Sequence, residues 1–302
     1  MKTTCVIVTY NRYILLQKVV EAVRTQSRQL DEIIVINNNS SDETYTYLQA
    51  ISKEDSRILT ITLKENIGGA GGFYLGVKTA YENGADWIWL LDDDAIPMNN
   101  ALEALMGSYV FKYYQSIDDV LGFLASRVDW KDGEICNMNI QNVSRDWPSL
   151  HNKCNHCVKI VSASFVSVLL NREAIKKVGY PINEFFIWFD DIEYTSRITK
   201  SMPAYYIANS IVKHHTKTNM MPADYKYMSH DNLWKYKLGM RNEVAYNCRS
   251  GMGWLKGLYF ILKKLRLLII NKKGISLIVP MIISGLRGMV FNYPKLIEYP
   301  MN

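Results

Sequence analysis

The sequence predicts an α/β protein built on a mostly parallel, Rossmann-like sheet flanked by helices, with a helical amphipathic extension at its C-terminus. Three observations predict it. Strand and helix signals alternate through residues 1–98, a polar cluster follows each of these strands, and the chain turns basic and apolar after residue 250.

Thr4-Cys-Val-Ile-Val-Thr9 is a buried strand run, and residues 13–25 show helical apolar spacing. Glu32-Ile-Ile-Val-Ile36 repeats the strand signal, and polar residues 37–42 open a second helix. A third strand over 58–63 leads through a glycine-rich turn into a helix over 73–83, and a fourth, Asp86-Trp-Ile-Trp-Leu-Leu91, runs into three aspartates. This βαβα order indicates a parallel sheet, whose ligands lie beyond the carboxyl ends of the strands. The clusters at 9–12, 37–42, 66–72 and 92–94 all fall there.

After Pro97 we expect a helix over 101–114, strands near 120–125 and 160–170, and a helix beginning near Arg172. That helix leads to an aromatic-acidic run at 185–193, followed by a strand over 204–212; residues 136–156 read as irregular. At 302 residues the chain can bury a large core.

The net charge of +6 is concentrated at the end: residues 252–302 carry eight Lys or Arg and one Glu. Apolar runs at 255–270 and 275–291 surround these charges. The longest uncharged stretch, 274–286, is too short to span a bilayer and contains Pro280. Such spacing suits a helix lying on an anionic membrane surface, with an ordinary docked helix as the alternative. Nucleic acid is disfavoured, because these cations lie among Leu and Ile rather than polar and stacking groups.

No signal peptide precedes the first strand, so a cytoplasmic setting with reduced cysteines is expected for the five Cys. His151-x-x-Cys154-x-x-Cys157, with Cys136 upstream, lacks the second C-x-x-C half of a zinc site. Unliganded thiols are the expected state.

Four constellations carry chemistry. Asp92-Asp93-Asp94 places like charges side by side, which a cation would relieve. At a strand end Asp92 and Asp94 point the same way and could grip one Mg²⁺ or Mn²⁺; the alternative is a solvated turn. Asn66-Ile-Gly-Gly-Ala-Gly-Gly-Phe73 allows close backbone approach at a helix N-terminus suited to phosphate. It matches neither a Walker loop nor G-x-G-x-x-G. Trp188-Phe-Asp190-Asp191-Ile-Glu193 offers a general base beside aromatic rings, or simply a helix cap. His214-His215 could add an imidazole ligand if the sheet brings it to the aspartates.

Val6-Ile-Val-Thr-Tyr-Asn-Arg12, Val35-Ile-Asn-Asn-Asn-Ser-Ser-Asp42 and the Asp triplet together resemble the inverting family 2 glycosyltransferases of GT-A fold. The glycine-rich run and Phe186-Ile-Trp-Phe-Asp-Asp-Ile-Glu193 look like its galactofuranosyltransferase branch, and to a lesser degree the rhamnosyltransferases. The likeness covers residues 3–245 and departs at Asn37, where Asp usually stands.

The resemblance implies a divalent ion on Asp92, Asp94 and His214, the last standing eleven residues after Pro203. Asp93 would face the donor's sugar or ribose, Thr9, Arg12 and Asn38 would line the nucleotide, and Asn66, Gly68 and Gly69 the diphosphate. Asp191 would be the catalytic base, with Asp190, Glu193 and Trp188 positioning the acceptor. Trp234 and Arg241-Asn242 match a later element to which no task is assigned. The chain would divide into a donor half (1–98), an acceptor half (99–250) and a tail (251–302).

The expected activity is inverting transfer of galactofuranose from UDP-galactofuranose to a lipid-linked surface glycan, at the inner face of the cell membrane. A rhamnosyl or other hexosyl transferase is the alternative, and a homo-oligomer is left open. A non-catalytic scaffold is disfavoured, since it has no reason to keep like charges together in a cleft.

Overall fold

The computed structural model describes residues 1–147, 154, 156–220, 224–249 and 253–291. The first half folds as the alternation predicts: strands β1 (Thr3–Thr9), β2 (Glu32–Asn37), β3 (Ile58–Thr62) and β4 (Trp87–Asp92) are joined by helices α1 (Tyr13–Arg24), α2 (Thr44–Glu54) and α3 (Gly68–Glu82). They pair in parallel in the order β3-β2-β1-β4. β1 is buried along its whole length, as expected of a parallel strand covered on both faces. The register sets Thr9 beside Asn37 and Val8 beside Asp92, which carries the polar clusters to one edge.

The second half contains β5 (Ala95–Pro97), α4 (Ala101–Met106), α5 (Tyr109–Gln115), β6 (Phe123–Trp130), β7 (Asn142–Val143), β8 (Cys157–Ser162) and β9 (Ser167–Asn171). It continues with α6 (Arg172–Val178), α7 (Asp190–Thr199) and β10 (Ala204–His214). The described sheet extends from β4 as β9-β6-β10-β8-β7, with β5 against β10. β9 is antiparallel to β4 and β6, whereas β10 is parallel to β6.

Three expected elements are redrawn. The strand at 160–170 is two strands, because β8 pairs with β10 while β9 crosses to lie between β4 and β6. The helix at 101–114 breaks at Gly107, and Ser108 Oγ restarts it by accepting from the Phe111 amide. The helix expected from Phe73 begins at Gly68, so the glycine-rich run is helix rather than turn.

Gly72 and Gly76 explain that last change: a Cβ there would lie 2.4 Å from Val8 Cγ1 and 2.3 Å from Val6 Cγ1. The helix can lie this close to β1 only without side chains at those positions.

Helices α8 (Leu233–Cys248), α9 (Gly253–Ile270) and α10 (Ile275–Val290) form a separate layer around Tyr236, Met240, Val244, Ile261 and Met281. Lys264 closes it with a 2.6 Å ion pair to Glu243. The described part of the tail is therefore docked through one face. Its other face leaves Trp254, Tyr259, Leu262, Ile270, Ile275 and Val290 exposed. No helix among the described residues is long and apolar enough to cross a membrane.

The expectation of reduced cysteines fails at one pair: Cys154 and Cys157 are joined in a disulfide, their Cα atoms 5.5 Å apart. That spacing falls within the reach of the bond. Pairing removes both sulfurs from the sketched zinc pattern, whose His151 lies outside the described residues. Cys5, Cys136 and Cys248 remain free thiols.

Candidate active site

Asp92 ends β4, and β10 pairs antiparallel with β5 so that His214 stands opposite Ala95, one residue after the triplet. Sheet pairing thus joins residues far apart in the chain. Ligand atoms of Asp92, Asp94 and His214 lie within 4.8 Å of one another, and His214 Nε2 is 3.1 Å from Asp94 Oδ1. Two carboxylates and one imidazole fit a divalent ion that still has room for phosphate oxygen.

Sequence reasoning missed the residue that orients this imidazole. Asn139 is buried, and its Oδ1 lies 2.7 Å from His214 Nδ1 while its Nδ2 donates to Ser164 Oγ at 2.8 Å. With Nδ1–H donating to Asn139, the Nε2 lone pair faces the aspartates. No local signal marks Asn139, since it lies in a short 3₁₀ turn within the segment read as irregular.

Arg12 ion-pairs with Asp94 and stands 3.5 Å from Asp93 Oδ1. It thereby compensates the charges crowded at the strand end. Asp93 also accepts from Thr9 Oγ1 at 2.8 Å and from the Tyr10 amide at 3.2 Å. Burial pushes the Asp93 carboxyl up to about 6, against the opposing pull of Arg12 and Thr9. Burial likewise raises Asp92, opposed by the charges of His214 and Arg12.

Asn38 is buried and shapes the neighbouring loop rather than standing open. Its Oδ1 accepts from the Ile67 amide at 2.9 Å and its Nδ2 donates to the Gly68 carbonyl at 2.8 Å. Asn66 Oδ1 accepts from the Gly68 amide at 2.8 Å. Gly68 has φ +78°, and a Cβ on it would sit 2.1 Å from the Phe186 carbonyl oxygen. Gly69, by contrast, faces open space. Asn37 is also buried, with Oδ1 accepting from the Ser40 amide at 3.0 Å.

The same Phe186 carbonyl accepts from the Ala70 amide, which locks the N-terminus of α3 to the aromatic-acidic run. Phe186, Trp188 and Phe189 have φ of +64°, +64° and +71°. Each such residue costs about 1–3 kcal/mol, and they persist only where neighbours over-determine them. Asn242 supplies that restraint. It is fully buried on α8, and its Nδ2 donates to the carbonyls of Phe185, Ile187 and Trp188 at 2.9, 3.0 and 2.8 Å. Arg241 adds a 2.8 Å bond to the Glu184 carbonyl. The Arg-Asn element therefore holds the loop that leads into Asp190 and Asp191 at the start of α7.

Burial pushes the half-buried Asp191 carboxyl up to about 6, opposed by the Ile192 amide 2.7 Å from Oδ1 and reinforced by the Asp92 charge. Asp190 is driven well above the carboxylate range by burial, then by the charges of Asp191 and Asp92. Both carboxyls thus feel the Asp92 charge.

Two expected acceptor residues have other partners. The Trp188 ring meets Tyr236 edge-on at 5.3 Å and covers Gly239, so it packs into the helical layer. Glu193 is buried and ion-paired to Arg197 at 2.9 Å; Arg197 also donates to the Tyr180 carbonyl.

Residues 4–178 match the model of glycosyl transferase family 2. Galactofuranosyltransferase GlfT1 of Mycolicibacterium smegmatis is 26% identical over 203 residues, 65% of each chain. The GalNAc(5)-diNAcBac-PP-undecaprenol beta-1,3-glucosyltransferase of Campylobacter jejuni is 34% identical over 107 residues, 35% of this chain and 33% of that protein. The chain thus covers less than two thirds of these relatives' lengths.

Among solved structures, GalNAc-T7 with UDP, GalNAc and Mn²⁺ superposes with a TM-score of 0.62 at 14% identity, over 95% of this chain and 57% of that one. S. aureus TarS 1–349 with UDP-GlcNAc gives 0.58 at 13% identity, over 96% and 81%. These likenesses extend to the fold, which is the GT-A type. With the family match spanning more than half its length, the chain belongs to glycosyl transferase family 2.

Proposed function

We propose that the protein moves a sugar, best read as galactofuranose from UDP-galactofuranose, onto a lipid-linked surface glycan with inversion at the anomeric carbon. The observation that carries this reading is the grouping of Asp92, Asp94 and His214, together with an Asp191 carboxyl that burial and the Asp92 charge raise to about 6. A base poised near neutrality can take the acceptor hydroxyl's proton. Asp191 accepts that proton as the hydroxyl oxygen attacks in line, and no enzyme nucleophile is required.

Asp92, Asp94 and His214 would hold Mn²⁺ or Mg²⁺, which supplies positive charge to the departing diphosphate when bound. Thr9, Arg12, Asn38 and Asp93 shape the nucleotide side, while Asn66 and the first residues of α3, Gly68 and Gly69, lie on the phosphate side. Residues 1–98 form the donor half, 99–250 the acceptor half and 251–302 the tail.

The galactofuranosyltransferase relative favours this sugar. The glucosyltransferase relative, whose name carries an undecaprenol-linked diphosphate, supports a lipid-linked acceptor and keeps a hexopyranosyl donor as the second reading. The exposed apolar face of α9 and α10, with Lys263 and Arg266 among it, supports attachment to the anionic inner membrane face. Flotation with anionic but not zwitterionic liposomes checks that attachment.

The deciding experiment incubates the protein with Mn²⁺, an undecaprenyl-diphosphate-linked glycan and a panel of nucleotide sugars, and measures nucleotide release and glycan mass. UDP-galactofuranose should give transfer. Transfer from another donor alone would replace the sugar, and no transfer from any donor would overturn the reading.

A further inference from the structure

Three cations and no carboxylate line a cavity of about 590 Å³ between α8 and α10. Lys237 and Arg241 reach it from α8 and Arg287 from α10, while Trp234, Val290 and Phe291 form apolar walls. Neither Lys237 nor Arg287 has a carboxylate partner among the described residues. Arg241 commits Nε to Asn242 and Nη2 to the Glu184 and Phe185 carbonyls, which leaves Nη1 without an acceptor among them.

The walls are fixed by packing. Ser284 Oγ donates to the Lys237 carbonyl at 2.6 Å, and a Cβ on Gly288 would sit 2.5 Å from the Arg241 carbonyl oxygen. Arg241 also lies over the Phe291 ring at 4.1 Å, so Lys237 and Arg287, without carboxylate partners among the described residues, are the cations that ask for an anion, and Arg and Lys together favour phosphate oxygens.

Position narrows the ligand further. On one side Trp234 meets the Phe186 ring at 6.3 Å, and Arg241 grips the loop that carries Asp190 and Asp191. On the other, Val290 is 79% exposed and continues the apolar face of α10. The cavity thus sets cations and apolar walls side by side, from the loop that carries Asp190 and Asp191 out to the exposed end of α10. We infer that it seats the diphosphate and first hydrocarbon units of a lipid-linked acceptor. The inference rests on the reading that the acceptor is lipid-linked.

The test titrates the full chain with farnesyl diphosphate, without sugar donor and in EDTA so that the aspartate site is not engaged. Tryptophan fluorescence reads binding, since Trp234 lines the cavity. Inorganic diphosphate forms the parallel arm.

Farnesyl diphosphate should bind at least tenfold more tightly than inorganic diphosphate. The Lys237→Glu/Arg287→Glu variant should weaken it tenfold or more with an unchanged circular dichroism spectrum, and Lys237→Arg/Arg287→Lys should restore it. Equal affinity for inorganic diphosphate, or indifference to the charge reversal, would overturn the inference. Should that reversal unfold the chain, the Lys237→Gln/Arg287→Gln variant decides by the same tenfold criterion. A parent protein that transfers sugar to a lipid-linked acceptor yet binds no farnesyl diphosphate refutes the cavity alone. Binding without transfer from any donor refutes only the functional reading.

Discussion

His214 Nδ1 lies 2.7 Å from Asn139 Oδ1, and this contact decides which imidazole nitrogen faces Asp92 and Asp94. Removing the amide frees the ring to rotate and to change tautomer. We expect Asn139→Ala to weaken Mn²⁺ binding by roughly 10- to 100-fold, as losses of outer-shell partners do. Calorimetric titration of Mn²⁺ checks this, and affinity equal to the parent's would show that Asn139 is not the orienting group.

Asn242 makes a second prediction. Asn242→Ala leaves the carbonyls of Phe185, Ile187 and Trp188 without its amide, beside three residues at positive φ. The unfolding free energy should drop by about 1–3 kcal/mol. The transfer rate constant should fall while the donor KM stays within roughly twofold, because the loop serves the acceptor side. Denaturant unfolding and steady-state kinetics separate the two effects; a raised donor KM with an unchanged rate constant would contradict the assignment.

The pH dependence runs in two directions. Asp191 must be ionised to accept a proton, so kcat/KM should fall about tenfold per pH unit below its value of about 6. Cation binding beside it draws that limb lower. Stability moves the opposite way. The folded-state value is raised above the ordinary 3.8, so the stability linked to Asp191 is complete below about 4 and is lost as pH rises through about 6. Denaturant midpoints from pH 4 to 7 should decline less for Asp191→Asn than for the parent, and the variant should bind donor without transfer. Full transfer by Asp191→Asn would remove it as the base.

Two adjacent glycines should behave differently. Gly68→Ala forces a Cβ to 2.1 Å from the Phe186 carbonyl oxygen at φ +78°, so its melting temperature should drop by several degrees. Gly69→Ala meets no atom within 4 Å and should leave the fold intact or stabilise it by about 0.4–1 kcal/mol. Thermal scans of both variants decide, and equal destabilisation would contradict the packing assigned here.

The parallel half of the sheet was legible because its strands are continuous apolar runs and its crossovers are short. Asp92, Asp94 and the Asp190-Asp191 pair were legible because unpaired carboxylates beside apolar strands and rings need a purpose. The glycine-rich run misled locally, since Gly72 and Gly76 serve the approach of α3 to Val8 and Val6, a demand made by atoms more than sixty residues away.

By itself the sequence determined the alternating strands and helices of the parallel half and the chemical types of the site residues, because local apolar period and charge are written residue by residue. Only the tertiary structure decided that His214 meets Asp94, that Asn139 turns its ring, and that Asn242 restrains the strained loop ahead of Asp191. These contacts bridge 120, 75 and 54 positions of chain, and they depend on strand register and helix docking that no local pattern encodes.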